Sequence, residues 1–153
     1  MKSRGIFPFT GTWNLNVSSI LKNPYPPITS SFELSAEELT REYHFDKTPL
    51  WTLICEEAVD TEHSHIYYQC VCNEISRRGV SAEEFKIARK FMWLTAGWLN
   101  FKCMLWDWVE LNEEDIKKAI ELQHRRGLIG QRKQERMLAY VQYIKELDRG
   151  NPA

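Results

Sequence analysis

The chain has 153 residues, 20 basic and 21 acidic side chains, and a net charge of −1. That length suits one domain with a real core, and the charge balance excludes a globally basic nucleic-acid binder or an acidic tail protein. With 43% hydrophobic and 12% aromatic residues, disorder along most of the length is excluded as well.

Residues 1–34 read as an N-terminal arm that packs on the rest. Lys2 and Arg4 precede an apolar run too short and too broken for a secretory leader. Trp13, Leu15 and Val17 alternate with Asn14 and Asn16, the pattern of one short strand. Pro24-Tyr25-Pro26-Pro27 favours an extended polyproline segment. Ile6, Phe7, Phe9, Ile20, Leu21, Ile28 and Phe32 make the arm too apolar for a free tail. It is expected to wrap its own domain or to reach a neighbouring subunit.

Residues 35–150 read as one helical-bundle domain. Between Pro49 and Pro152 there is no proline, so nothing there forbids helix. Ser35 with Glu38 forms a capping box that opens a short extra helix to about Phe45. Thr48 followed by Pro49 reads as an N-cap with proline in the first helical position. Leu50, Ile54, Ala58, Thr61, His65, Tyr68, Cys72 and Ile75 then lie on one helical face, which predicts a long helix to about Arg78. Asp60, Thr61 and Ser64 allow a break near residue 60.

Ser81 with Glu84 is a second capping box. Behind it, Ile87, Phe91, Leu94, Trp98, Phe101, Leu105 and Trp108 form a heptad seam. A second stripe of Ala88, Met92, Leu99, Cys103 and Trp106 runs beside it, so this helix is expected to be covered on more than one side. Its apolar stretch from Phe91 to Trp106 contains Asn100 and Lys102 and falls short of the roughly 20 residues a membrane span needs. Two long helices joined by Arg78-Gly79-Val80 predict an antiparallel hairpin. Two shorter helices, about 112–126 and 130–149, fold back on it; Asn112 with Asp115 starts the first of them. Gly79, Gly127 and Gly150 each follow a basic residue, as helix ends prefer. The fold expectation is all-α, an antiparallel helical bundle in the cytosol.

Cys55, Cys70, Cys72 and Cys103 form no Cys-x-x-Cys pair, and Cys70 and Cys72 point about 200° apart on a helix. They read as reduced thiols that fill space. No phosphate loop, nucleophile elbow or His-Glu-x-x-His is present. His44, His63, His65 and His124 show no spacing to a nucleophile and an orienting group, so no catalytic residues are expected.

Three binding readings remain. The favoured one is a protein contact, as an accessory subunit, adaptor, regulator or self-associating protein. Trp93, Trp98, Trp106 and Trp108 occupy several directions around one helix, and tryptophan is a common interface anchor. The competing expectation is that the N-terminal arm covers them. Residues 35–75 hold two basic against nine acidic side chains, a net of −7, whereas 76–111 and 112–153 each carry +2; this asymmetry permits steering.

The second reading is a metal site. Glu62 with His65, and Glu121 with His124, both fit Glu-x-x-His, which puts carboxylate and imidazole on one helical face. Two such pairs plus a glutamate from each remaining helix would bind iron, manganese or zinc in a di-iron-like bundle. The further glutamates are poorly placed, since Glu83, Glu84 and Glu110 sit at helix ends and Glu135 and Glu146 have no clear core position. A break near Asp60 would let Glu57 and Glu110 approach the pairs. The favoured reading needs no cofactor.

The third reading is nucleic-acid contact. Arg125, Arg126, Arg132, Lys133 and Arg136 surround a turn between two helices, an outline that resembles a helix-turn-helix. Few side chains suited to base contacts follow Gly130, so the expected contact is to phosphate and independent of sequence.

Overall fold

The computed structural model describes residues 43–59, 64–103 and 110–149. Helix makes up 77% of these and no strand occurs among them, so the described protein is all-α. The expected arm, the Ser35–Glu38 capping box and Gly150 lie outside the described residues. Tyr43, His44 and Phe45 are not helical.

The first described helix, α1 (Leu50–Cys55), runs into a 3-10 turn (Glu56–Ala58). All six α1 residues are buried. A helix apolar on every side has no solvent face to offer, so it belongs in the interior. Complete burial of a leucine or isoleucine such as Leu53 or Ile54 stabilises by about 1.5–3 kcal/mol. This places the whole of α1 inside the core. Trp51 packs against Phe91 and Tyr140, with ring centroids 5.8 and 6.1 Å away, and its Nε1 donates to the Val141 carbonyl at 3.0 Å.

The long helix expected from Pro49 to Arg78 is two helices. Val59 takes an extended conformation, φ −80° and ψ 139°, and ends the first. Ser64 starts the second, α2 (His65–Arg77), by accepting the Tyr67 N–H at 3.2 Å. The cap at the front of α1 also differs from expectation. Pro49 is the N-cap and no local side chain closes it; the Leu50 N–H donates to Asp148 Oδ2 at 3.0 Å.

Local end signals elsewhere behave as read. Ser81 and Glu84 form their reciprocal box at the start of α3 (Ala82–Met92), and Asn112 and Asp115 form theirs before α5 (Glu113–Arg125). Gly79 and Gly127, at φ 80° and 71°, sit in the left-handed region that only glycine adopts without strain. Each is followed by a Schellman-type bond, Val80 N–H to Ile75 O and Leu128 N–H to Gln123 O. The last helix, α6 (Gln131–Arg149), buries Met137, Tyr140, Val141 and Ile144 as its apolar spacing requires.

Between α3 and α4 (Trp98–Lys102) the chain makes a π-helical segment, Trp93–Gly97. Here each carbonyl reaches one residue further, so the turn takes in one more residue. The buried rows accordingly run 88, 92, 96, 100 and 91, 95, 99, steps of four that a regular α-helix would rotate away. The second stripe therefore faces the core: Ala88, Met92 and Leu99 are buried. Of the heptad seam, Phe91 and Leu94 are buried and Trp98 is half-buried, while Ile87 and Phe101 are 40% and 37% exposed. Leu105 and Trp108 of that seam lie outside the described residues. In the packed core α1 lies against α2, α3 and α6, while α5 lies against α6 and the π segment.

Candidate interaction surfaces

The acidic segment spends its described charges largely inside the fold. Glu57 is held by both Nε and Nη2 of Arg89, at 2.7 and 2.6 Å, with its side chain almost wholly buried. Glu56 accepts the Tyr67 hydroxyl at 2.7 Å, and burial together with that carboxylate pushes the phenol well above its ordinary value. Glu74 pairs with Arg77 and Arg78, and the Arg77 hydrogen bond leads in holding its carboxyl below the usual range. Glu84 and Asp115 close caps, and Asp148 binds Arg78.

The described residues hold sixteen basic and fourteen acidic side chains, and these pairings leave their exposed set more basic than that balance. Among the described residues eleven basic side chains are exposed against seven acidic ones. Five of those eleven are Arg125, Arg126, Arg132, Lys133 and Arg136. They sit on the tip of the α5–α6 hairpin, around a turn closed by Gly127. Burial on α6 begins only at Met137; of residues 131–136, Gln134 alone is half-buried and the rest are exposed. That first turn and a half is exposed on all but its Gln134 side. Leu128, at the apex, is 60% exposed. Arg126 is fixed at the base of the tip, its guanidinium 5.7 Å from the Trp98 ring centre and its Nη1 3.6 Å from Cys103 Sγ. Arg125 is 3.8 Å from Glu121, an exposed contact of little energetic weight.

The outer face of α3 and α4 is a second surface. Ile87 stands between Glu83 and Lys90, all three exposed. Further along, Trp93 and Phe101 stack with ring centroids 5.7 Å apart. Gly97 makes room for this indole: a Cβ there would come within 2.7 Å of Trp93 Cε3. Trp93 and Trp98 are half-buried, and the buried Trp93 Nε1 meets no acceptor among the described residues. Trp106 and Trp108 lie outside the described residues.

The metal-site residues are placed differently from the reading that put His65 on an apolar face. His65 is exposed in the first turn of α2, because the break before Ser64 moves it from mid-helix to a helix start. Glu121 is exposed and His124 is half-buried in the last turn of α5. Glu62 lies outside the described residues. Glu57, which the break was to bring in as a ligand, is committed to Arg89. Among the described residues, no group of three or more His, Cys, Asp or Glu side chains is placed to hold a metal ion. Burial pushes the Cys55, Cys70 and Cys72 thiols up, which disfavours the reactive thiolate at each.

Sequence reasoning missed three buried polar groups that shape this end of the molecule. Gln123 Nε2 donates to the Leu94 carbonyl at 2.7 Å, Asn100 Nδ2 to Ala58 O at 3.1 Å, and Thr95 Oγ1 to Phe91 O at 2.8 Å. Each partner is a main-chain carbonyl, so their chemistry is that of satisfied backbone. A polar residue inside an otherwise apolar row was the available signal for Thr95 and Asn100. No helix described here is long and apolar enough to cross a membrane. No family model, curated protein or solved structure matches the chain.

Proposed function

We propose that this chain works through protein contact, in an accessory, adaptor or regulatory role, and that the partner on the outer face of α3 and α4 is a second copy of itself. The observation that carries the reading is the exposure of two large apolar side chains, Ile87 and Phe101, on the outside of α3 and α4. Exposed large apolar side chains grouped on a surface mark contact sites more often than bare monomer surface. The charges flanking Ile87 favour a twin. In a two-fold antiparallel pairing centred on Ile87, Glu83 of each copy meets Lys90 of the other, and the reverse. The stacked Trp93–Phe101 pair extends the same face with a pre-set aromatic anchor.

This reading takes the helices as an antiparallel bundle in the cytosol; the short turn between α5 and α6 supports antiparallel neighbours there. Sedimentation equilibrium is the test. The wild type is expected to dimerise reversibly, and an I87E/F101E variant to be monomeric with unchanged helical circular dichroism. A wild type that stays monomeric up to its solubility limit overturns the proposal, as does a variant that dimerises as tightly as the wild type.

A further inference from the structure

We infer that the tip of the α5–α6 hairpin is a binding site for duplex DNA, gripping the phosphates on both sides of a groove without reading the base sequence. Three observations converge on it. The first is charge density: Arg125, Arg126, Arg132, Lys133 and Arg136 are all exposed, with Glu121 and Glu135 the acids among them. Elsewhere Glu56, Glu57, Glu74 and Glu84 are drawn into internal pairs and caps.

The second observation is shape. On α6, Arg132, Lys133 and Arg136 fall within an arc of about 100°, with Glu135 on another side and Gln134 half-buried. Arg125 and Arg126 add cations from the end of α5, so positive charge leaves this narrow tip from two helices. The major groove of B-form DNA is about 12 Å wide, admits a helix, and presents phosphates on both walls. The A-form groove of duplex RNA is too deep and narrow for this approach.

The third observation is what stands at the apex and the base. Leu128, 60% exposed at the apex, offers no donor or acceptor to a base, as binding independent of sequence requires. Arg126 is held over Trp98 before any ligand arrives, which reduces the ordering needed on binding. The site is separate from the α3–α4 face and does not depend on self-association.

Fluorescence anisotropy with the full chain and a labelled DNA duplex of about 20 base pairs tests the inference, read across a salt series. The wild type is expected to bind at low salt, with log K falling against log salt at a slope of roughly −3.5 to −4.5 if four or five phosphates are engaged. R132E/R136E should lower affinity at least about tenfold and flatten the slope by about 2. E135K, which replaces the one acid within residues 131–136, should raise affinity, a gain that misfolding cannot produce. K47E/K118E, which alters two exposed cations away from the tip, should leave binding nearly unchanged. The inference is overturned by absence of duplex binding at low salt. It is equally overturned if K47E/K118E costs as much as R132E/R136E, or if polyglutamate or anionic vesicles bind as tightly as the duplex.

Discussion

Arg78 and Asp148 lie 70 positions apart in the chain and are joined by a 2.8 Å bond from Nη1 to Oδ1. The other oxygen of the same carboxylate accepts the Leu50 N–H at 3.0 Å, so one side chain pairs a buried guanidinium and caps α1. Arg78 also donates to Glu74 and to the Phe45 carbonyl, at 2.9 and 2.7 Å. The α2–α3 turn, the end of α6, the start of α1 and the segment entering it thus meet at one guanidinium.

Replacing Asp148 by alanine should therefore cost about 2 kcal/mol, since it removes one of the two carboxylates on a buried cation and leaves a helix start uncapped. D148N keeps an acceptor for Leu50 and should cost less than D148A. Urea unfolding of both variants provides the measurement. A loss below about 1 kcal/mol for D148A would mean that Arg78 regains water when the carboxylate is removed.

The π segment rests on a side chain from another helix. Gln123 donates to the Leu94 carbonyl, so Q123L should destabilise by about 1 kcal/mol through loss of this buried hydrogen bond. G97A acts on the opposite face of the same turn. Its new methyl would displace the Trp93 indole, at a cost of about 1–3 kcal/mol and with loss of the stacked pair. Near-ultraviolet circular dichroism should change for G97A while the far-ultraviolet helix signal stays.

Acid should weaken the fold through two paired carboxylates. The Arg77 hydrogen bond, assisted by Arg78, holds Glu74 below its ordinary value of 4.5. At Glu113 burial pushes the other way, but the hydrogen bonds from Lys117 and Lys145 outweigh it and the net shift is also downward. A carboxylate whose pKa is lowered by folding contributes its stability fully above the unfolded value and loses it as pH falls through the folded one. The urea midpoint should fall from neutral pH toward pH 3, and E74Q/E113Q should show a shallower decline over the same range.

Legibility followed the range of the interactions. Ser81 with Glu84, Asn112 with Asp115, and the glycines at 79 and 127 were readable because each acts within a few residues of itself. The cap on α1 was not, because its oxygen comes from Asp148 at the far end of the domain. Ser64 was read as a weak point in a helix, whereas its hydroxyl begins one. The basic run 125–136 was visible as a run, but a run of cations on a packed face and one on a projecting tip look the same in a sequence. The paired metal motifs illustrate the converse: spacing alone put His65 on a buried face, and one break in the helix moved it to the surface.

Composition and periodicity by themselves determined that the described protein is helical, where most helices begin and end, and which face of α6 is buried. These depend on bonds between near neighbours and on the repeat of one helix, both of which are written locally. Only the tertiary structure decided that every residue of α1 is buried, that Ile87 and Phe101 stand exposed, and that the cations of residues 125–136 share one projecting tip. Charge sums over a sequence count every group equally. Folding removes the paired and capping carboxylates from the surface and leaves the unpacked end of α6 to display its cations.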